Sequence, residues 1–353
     1  MRSFVYDALP GRVVFGDGSV GRVPEEAERL GVRRALLIAS RSQRAVAEDV
    51  AGRLGPRAVG IEDRVVVHVP IEVAQAGRAK ARELGADGCI AIGGGSAIGL
   101  AKAIALELDL PILAVPSTYS GSEMTPVQGL TEGGVKRTLL DLRILPRAVV
   151  YDPALTLSLP PAIAGPSGMN AMAHAVEALY AANANPITSI MAEEAIRALG
   201  RSLPAVVRQP DDLEVRADAL YGAWLAGTCL GAVGMALHHK LAHVLGGSFD
   251  LPHAQTHTVL LPHVAAFNRD AAPDAMARIA RALDAGDAAA GLFDLIITIG
   301  APTRLAELGL DEQDLDWAAE LAVQNPYYNP RPVTQDGVRA LLDEAFRGRR
   351  PSA

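Results

Sequence analysis

Residues Ile90 to Ala103 read Ile-Ala-Ile-Gly-Gly-Gly-Ser-Ala-Ile-Gly-Leu-Ala-Lys-Ala, a buried strand running through a glycine turn into a helix. Glycines at such a turn admit positive φ and close approach of a ligand to the backbone. The free amides and positive dipole end of the helix suit a pyrophosphate. The same strand-to-helix alternation extends over the first ~150 residues, which predicts a parallel sheet with crossover helices. Strands are expected at Arg12 to Phe15, Arg34 to Ala39, Val65 to Val69, Gly88 to Ile92, Ile112 to Val115 and Ala148 to Tyr151. From Pro160 onward strands vanish and apolar helical patterns follow one another, beginning with Ala162 to Ala182 and ending with Thr334 to Phe346. The fold class is therefore an α/β, Rossmann-like N-terminal domain over residues 1–155 and an all-α C-terminal domain over 156–353.

Composition narrows the function. Half of the 353 residues are hydrophobic, which favours a packed fold over disorder. The net charge of −7 comes without a basic block, so neither nucleic acid nor an anionic membrane surface is an expected partner. Cys89 and Cys229 are isolated in apolar surroundings and read as reduced core residues. No stretch approaches the ~20 apolar residues of a membrane span, and the N-terminus carries no apolar targeting run, so a cytoplasmic protein is expected.

A second polar turn follows the next strand, Pro116 to Glu123, and places Ser117, Thr118, Tyr119 and Ser122 at the sheet edge where open α/β sheets bind ligands. Read alone, it is an ordinary Ser/Gly loop. Together with Gly93, Gly94, Gly95 and Ser96 it points to a nucleotide. The turn after Ala39 carries Ser40, Arg41 and Arg44 and no acid that would repel a ribose 2′-phosphate, so both NADH and NADPH are expected to be accepted.

Five of the eight histidines fall between His238 and His257. His239 and His243 stand at i and i+4 and can reach a common point from one helix face, to which His253 can return from a turn beyond Gly246 and Gly247. Asn170 and His174 repeat the spacing on another apolar helix. The pattern looks like a metal site with one ligand neutralised. His238 and His257 read as packing residues.

With these motifs in hand, the chain resembles the iron-containing alcohol dehydrogenase superfamily, whose dehydroquinate synthase-like fold the resemblance implies. The family turn GGGSxxDxAKA appears at Gly93 to Ala103, with Gly99 in place of the aspartate. The segment DALxHAxEA appears at Asn170 to Ala178, with Asn170 for the aspartate, and HxxxHxLGxxxxxPHG appears at His239 to Ala254. The shortened turn Pro116 to Pro126 and the segment Asn325 to Pro332 resemble the maleylacetate-reducing branch. In metal-dependent relatives one carboxylate and three imidazoles bind iron or zinc, at positions matching Asn170, His174, His239 and His253. Replacing the only anionic ligand by an amide leaves the metal charge uncompensated, so no metal is expected.

The resemblance implies a dicarboxylate substrate whose alkene is conjugated to a ketone. Reducing that bond requires an electron sink and a proton donor rather than a Lewis acid. His243 is the expected donor, with His174, His239 and His253 cationic or hydrogen-bonding toward the carboxylates and enolate. Asn170, Tyr119, Tyr328 and Arg331 are the expected substrate contacts, and Lys136 matches a lysine that touches the cofactor ribose in relatives. A homodimer joined through N-terminal strands is also implied. The alternatives are a metal-dependent alcohol or polyol dehydrogenase and a nucleotide-binding sensor with a decayed site.

Overall fold

The structure, a computed structural model, describes residues 4, 6, 8–9, 11–67, 69–132, 135–325 and 327–352, leaving aside the side chains of 131–132 and 135–137. The chain divides into two compact units, Ala8–Leu159 and Pro160–Ala353, the latter joined by the described residues among Met1–Asp7.

The first unit alternates β1 (Arg12–Phe15), α1 (Val23–Arg29), β2 (Ala35–Ala39), α2 (Arg44–Leu54), β3 (Ala58–Glu62), α3 (Ile71–Glu83), β4 (Gly88–Gly93), α4 (Gly95–Leu108) and β5 (Ile112–Pro116). A hairpin of β6 (Val127–Glu132) and β7 (Val135–Leu140) and a last strand β8 (Ala148–Tyr151) complete it. The main sheet is parallel in the order β1-β8-β5-β4-β2-β3. Its central strands are apolar throughout because both faces are covered. Ala35, Leu37, Ala39, Ile90 and Ile92 pack with Val23, Ala27, Ala47 and Val50 of α1 and α2. Leu36, Ile38, Cys89 and Ala91 turn to the other face, against Ala74 and Ala81 of α3 and Ile98 and Ala101 of α4.

The register positions the ligand turns. Ala39 pairs with Ile92, and Gly93 pairs with Pro116. The residues that follow β2, β4 and β5, namely Ser40, Gly94 and Ser117, therefore leave adjacent strands at the same carboxyl edge.

The strand expected at Val65 to Val69 is not formed, and His68 lies outside the described residues. The edge strand is β3 instead. It ends at Glu62, whose buried carboxylate accepts from the Arg64 backbone and guanidinium and pairs with Lys80, turning the chain off the sheet and leaving Val66 and Val67 exposed. The β6–β7 hairpin was also not expected from the sequence; Gln128, Gly129 and Thr131 break any apolar run there.

The second unit is helical: α5 (Pro161–Leu179), α6 (Pro186–Arg208), α7 (Leu213–Ala232), α8 (Leu237–Ser248), α9 (His253–Asn268), α10 (Pro273–Ala282), α11 (Ala288–Thr298), α12 (Leu315–Val323) and α13 (Gln335–Arg347). Capping fixes several starts. Asn185 and Thr188 form a reciprocal capping box at α6, and Asp212 and Thr334 accept first-turn amides of α7 and α13. One core joins Leu237, Leu241 and Leu245 of α8, Leu260 and Val264 of α9, Ala318 and Ala322 of α12, and Val338 and Leu342 of α13. Among the described residues no single helix is long and apolar enough to cross a membrane, and α7 and α8 meet at a bend of 96°.

The α5–α6 crossing is close enough to test. A Cβ at Gly168 would lie 2.2 Å from Leu203 Cδ2, inside a fully buried contact. Leaving glycine in a helix regains at most a few tenths of a kcal/mol for valine, against an overpacking cost of about 1–3 kcal/mol. Gly168→Val should lower unfolding stability by about 2 kcal/mol, read from the urea midpoint. An unchanged midpoint would show that the crossing can open freely.

Candidate active site

In the α/β unit, Gly93 has φ 137°, a conformation reserved for glycine, and its carbonyl accepts from the amide of Ser117 at 3.1 Å. A Cβ on Gly94 would lie 3.0 Å from Thr118 Cγ2 and 3.1 Å from Thr118 Oγ1. The turn thus needs glycine where backbone and hydroxyl approach each other. Among the described residues no side chain caps α4; the Ala97 and Ile98 amides donate to the Gly94 carbonyl, which leaves those of Gly95 and Ser96 for a ligand or solvent. Thr118 Oγ1 is buried with no hydrogen-bond partner among the described residues. A bare helix start beside an orphaned hydroxyl fits a phosphate-bearing cofactor. Ser40 Oγ and Ser42 Oγ lie 2.9 Å apart beyond β2. Arg44 is taken up by Glu48 at 2.9 Å and Asp63 at 2.6 Å, so it does not offer an open charge to a 2′-phosphate. Where relatives carry aspartate, a Cβ on Gly99 would stand 3.0 Å from Val69 Cγ2. The side chain of Lys136 lies outside the described residues.

Lys102, which sequence reasoning did not single out, pins the Ser/Thr turn. Its fully buried Nζ donates to Ser122 O (2.7 Å), Val127 O (2.8 Å) and Thr125 Oγ1 (3.0 Å). Ser122 Oγ stands at 3.4 Å. Glu123 is buried beside it and accepts from Tyr151 Oη at 2.9 Å. Burial raises the Glu123 carboxyl, and burial with Glu123 raises the Tyr151 phenol. Tyr119, in the same turn, is fully buried.

In the helical unit, α5 presents Asn170, His174 and Glu177 on one face. Glu177 organises what surrounds it. One oxygen accepts from the His238 amide at 2.7 Å; the other accepts from the Ala236 amide at 2.9 Å and meets His239 Nδ1 at 2.7 Å. Burial alone would raise this carboxyl, but the hydrogen bonds from His239 and the Ala236 amide hold it below the usual range. The bond to Nδ1 orients the His239 ring, whose buried Nε2 has no protein partner.

Six histidines are contiguous. Ring centroids lie 5.1 Å apart for His174 and His239, stacked at 30°, 6.3 Å for His239 and His243, and 6.4 Å for His243 and His253. His257 stands 4.5 Å from His253 and 5.0 Å from His239, and its Nδ1 meets His238 Nε2 at 2.8 Å. His238 and His257, read from sequence as packing residues, thus join the cluster. The overlooked signal was the i, i+4 spacing of His253 and His257. His253 opens α9 rather than standing on a turn.

Burial holds His174 and His257 well below their ordinary values, and neighbouring imidazoles add to the effect. His238 is pushed down to about 3, also mainly by burial. These three rings are therefore neutral at neutral pH until an anion arrives, not cationic beforehand.

Asn170 Oδ1 is buried without a partner, no carboxylate stands in its place, and the His174 and His239 rings face one another as a stack. Among the described residues no three His, Cys, Asp or Glu side chains are arranged to hold a metal ion. The set offers imidazoles and an amide but no free anionic ligand to balance a divalent charge.

Two expected substrate contacts lie elsewhere. The Arg331 guanidinium sits 4.2 Å over the Phe267 ring and donates to the Phe267 carbonyl at 3.1 Å. That is the far end of α9 from His253, roughly 20 Å along the helix. The arginine follows Asn329, whose amide is paired with Asn268, so the segment is tied to the end of α9 and not to its start. Tyr328 is 47% exposed, whereas Tyr327 packs into the helical core with Lys240 Nζ 5.9 Å above its ring. Burial, then the Glu177 charge, raise the Tyr327 phenol. Tyr327, rather than Tyr328, is the member of the pair that lies near Glu177.

Lys102 carries a pH signature. Burial lowers its ammonium from 10.5 to about 7, partly opposed by Glu123. Between those values the folded chain has released a proton that the unfolded chain keeps, so this group makes stability rise with pH across that window. Lys102→Met should lower stability by about 2 kcal/mol through the lost buried hydrogen bonds, weaken NADH binding and flatten the rise in stability between pH 7 and 10. Parallel pH profiles for the two proteins would contradict this role.

A model of the iron-containing alcohol dehydrogenases matches residues 10–153, and one of the C-terminal part of that family matches residues 165–346. The chain is 55% identical to a maleylacetate reductase of Sphingobium indicum over 348 residues, covering 99% of each. It is 54% identical to a maleylacetate reductase of Burkholderia cepacia over 352 residues, covering both whole. The crystal structure of maleylacetate reductase from Agrobacterium tumefaciens superposes with a TM-score of 0.97 at 52% identity, covering 99% of this chain and 100% of the other. By both halves of its sequence and by its fold, the chain belongs to the iron-containing alcohol dehydrogenase family, within which it resembles the maleylacetate reductases.

Proposed function

We propose that this chain is an NAD(P)H-dependent oxidoreductase that reduces the C=C bond of maleylacetate to give 3-oxoadipate without a bound metal. One observation carries the chemistry: the cluster offers imidazoles and the Asn170 amide where a metal would need a carboxylate, and its one buried acid, Glu177, is already engaged. Likeness to reductases over the whole chain supports the substrate.

Held by the Gly93 to Ser96 turn and the Ser117 to Ser122 turn, a reduced nicotinamide cofactor would supply the hydride for the alkene carbon remote from the ketone. The electron pair of the alkene then becomes an enolate on the ketone oxygen, which hydrogen-bond donors stabilise. His243 gives a proton to the remaining alkene carbon, completing the saturated chain, and regains it from solvent. The Asn170 amide and His174 and His253 meet the carboxylates. A dianion raises the proton affinity of the imidazoles around it, whereas an aspartate at 170 would repel it. Both NADH and NADPH serve, because no acid follows β2 in Ser40 to Arg44. A cytoplasmic homodimer acting in the breakdown of aromatic compounds goes with this reading.

Incubation with maleylacetate and NADH should consume one cofactor per 3-oxoadipate formed. His243→Ala should lower kcat by roughly 10²–10⁴-fold while NADH binding, measured by fluorescence titration, changes little. Absence of NADH consumption beside an active reductase control would refute the substrate. Loss of NADH binding in step with turnover would refute the proton-donor role.

A further inference from the structure

The helical unit holds a cavity of about 410 Å³ at the end of α9, lined by His263, Phe267, Arg331, Leu341, Glu344 and the segment Arg349 to Ser352, among others. Its volume lies in the ~300–1,000 Å³ range of small-molecule sites. His263 stands ten residues after His253 on α9, roughly 15 Å along the axis, so the cavity is separate from the histidine cluster.

Four guanidinium groups line it, and three already have carboxylates. Arg269 pairs with Asp287 at 3.2 Å, Arg349 with Glu344 at 2.6 Å and Arg350 with Asp294 at 2.7 Å. Arg331 pairs with none among the described residues. Only its Nη1 is engaged, by the Phe267 carbonyl, and stacking on the Phe267 ring holds the group in place. His263 is 4% exposed, and its buried Nε2 has no hydrogen-bond partner among the described residues. Burial pushes the His263 imidazole down to about 4, so at neutral pH it supplies one N–H and no charge.

We propose that this cavity binds a small organic monocarboxylate, whose carboxyl oxygens accept from the Arg331 guanidinium while its hydrocarbon body lies against Ala266, Ala340 and Leu341. A single uncompensated cation matches a single negative charge, and Glu344 in the wall disfavours a second. The planar fork of arginine matches a carboxylate better than a lysine would. The ligand therefore differs in class from the dianion assigned to the histidine cluster, and the inference does not depend on that assignment.

Calorimetric titration of the full chain with hexanoate, adipate and inorganic phosphate tests it. Hexanoate should bind at one site, and Arg331→Gln, which removes the charge, should weaken it about tenfold or more. Ala340→Trp, which fills the space without altering charge, should weaken it comparably. His243→Ala should leave it intact, which separates this site from the cluster. The proposal is overturned if millimolar hexanoate does not bind, if neither cavity variant weakens it, or if phosphate binds the Arg331-dependent site as tightly. Adipate binding that depends on His243 and not on Arg331 would report the cluster alone, and with hexanoate still lost in Arg331→Gln it supports two distinct sites.

Discussion

A buried carboxylate whose two oxygens are both engaged sets the shape of the helical half of this chain. Glu177 is wholly buried, and a bare carboxylate there would be costly. It is accommodated because the chain bends by 96° between α7 and α8 and aims two backbone amides, those of Ala236 and His238, at its oxygens. The same bend starts α8 where His239 completes the set. His239 and His243 then follow at one helix turn, and α9 brings His253 and His257 against them. Removing the carboxylate would strand two amides and an imidazole nitrogen at once, so the bend and the cluster are held by one group.

The α/β unit uses a different buried charge for a similar purpose. Lys102 reaches from α4 to the turn after β5 and donates to the carbonyls of Ser122 and Val127. The glycine turn and the Ser/Thr turn are adjacent because Gly93 and Pro116 are paired in the sheet, and Lys102 keeps the second turn folded against the first. In both units a fully buried ionisable side chain bonds to backbone groups where one element gives way to the next. The reactive groups stand beside these anchors.

Much of this was legible in the sequence where the physics is local. Leu36 to Ala39 and Ile90 to Ile92 are apolar at every position, the mark of strands covered on both faces, and the Gly93–Gly95 turn announces a strand-to-helix junction. The spacing of His239, His243 and Asn170, His174 fixes shared helix faces. Legibility failed where tertiary partners decide. Val65 to Val69 has better strand residues than Ala58 to Glu62, yet the ion pairs of Glu62 end the pairing before it. The β6–β7 hairpin is half polar and lacks the apolar signature of the main sheet. His238 is adjacent to His239 in sequence and points to another face, so only the folded chain reveals its bond to His257. Arg331 looked like a substrate contact because it follows two tyrosines, but Asn329 and Phe267 tie it to the opposite end of α9.

The central claim is that imidazoles and an amide, without a metal, carry the reduction. The most direct measurement is the turnover of maleylacetate with NADH by protein exhaustively treated with a chelator, with metal content determined on the same sample. The account predicts an undiminished rate at a metal content far below one ion per chain. A rate that falls with the metal and returns on adding iron or zinc would contradict it.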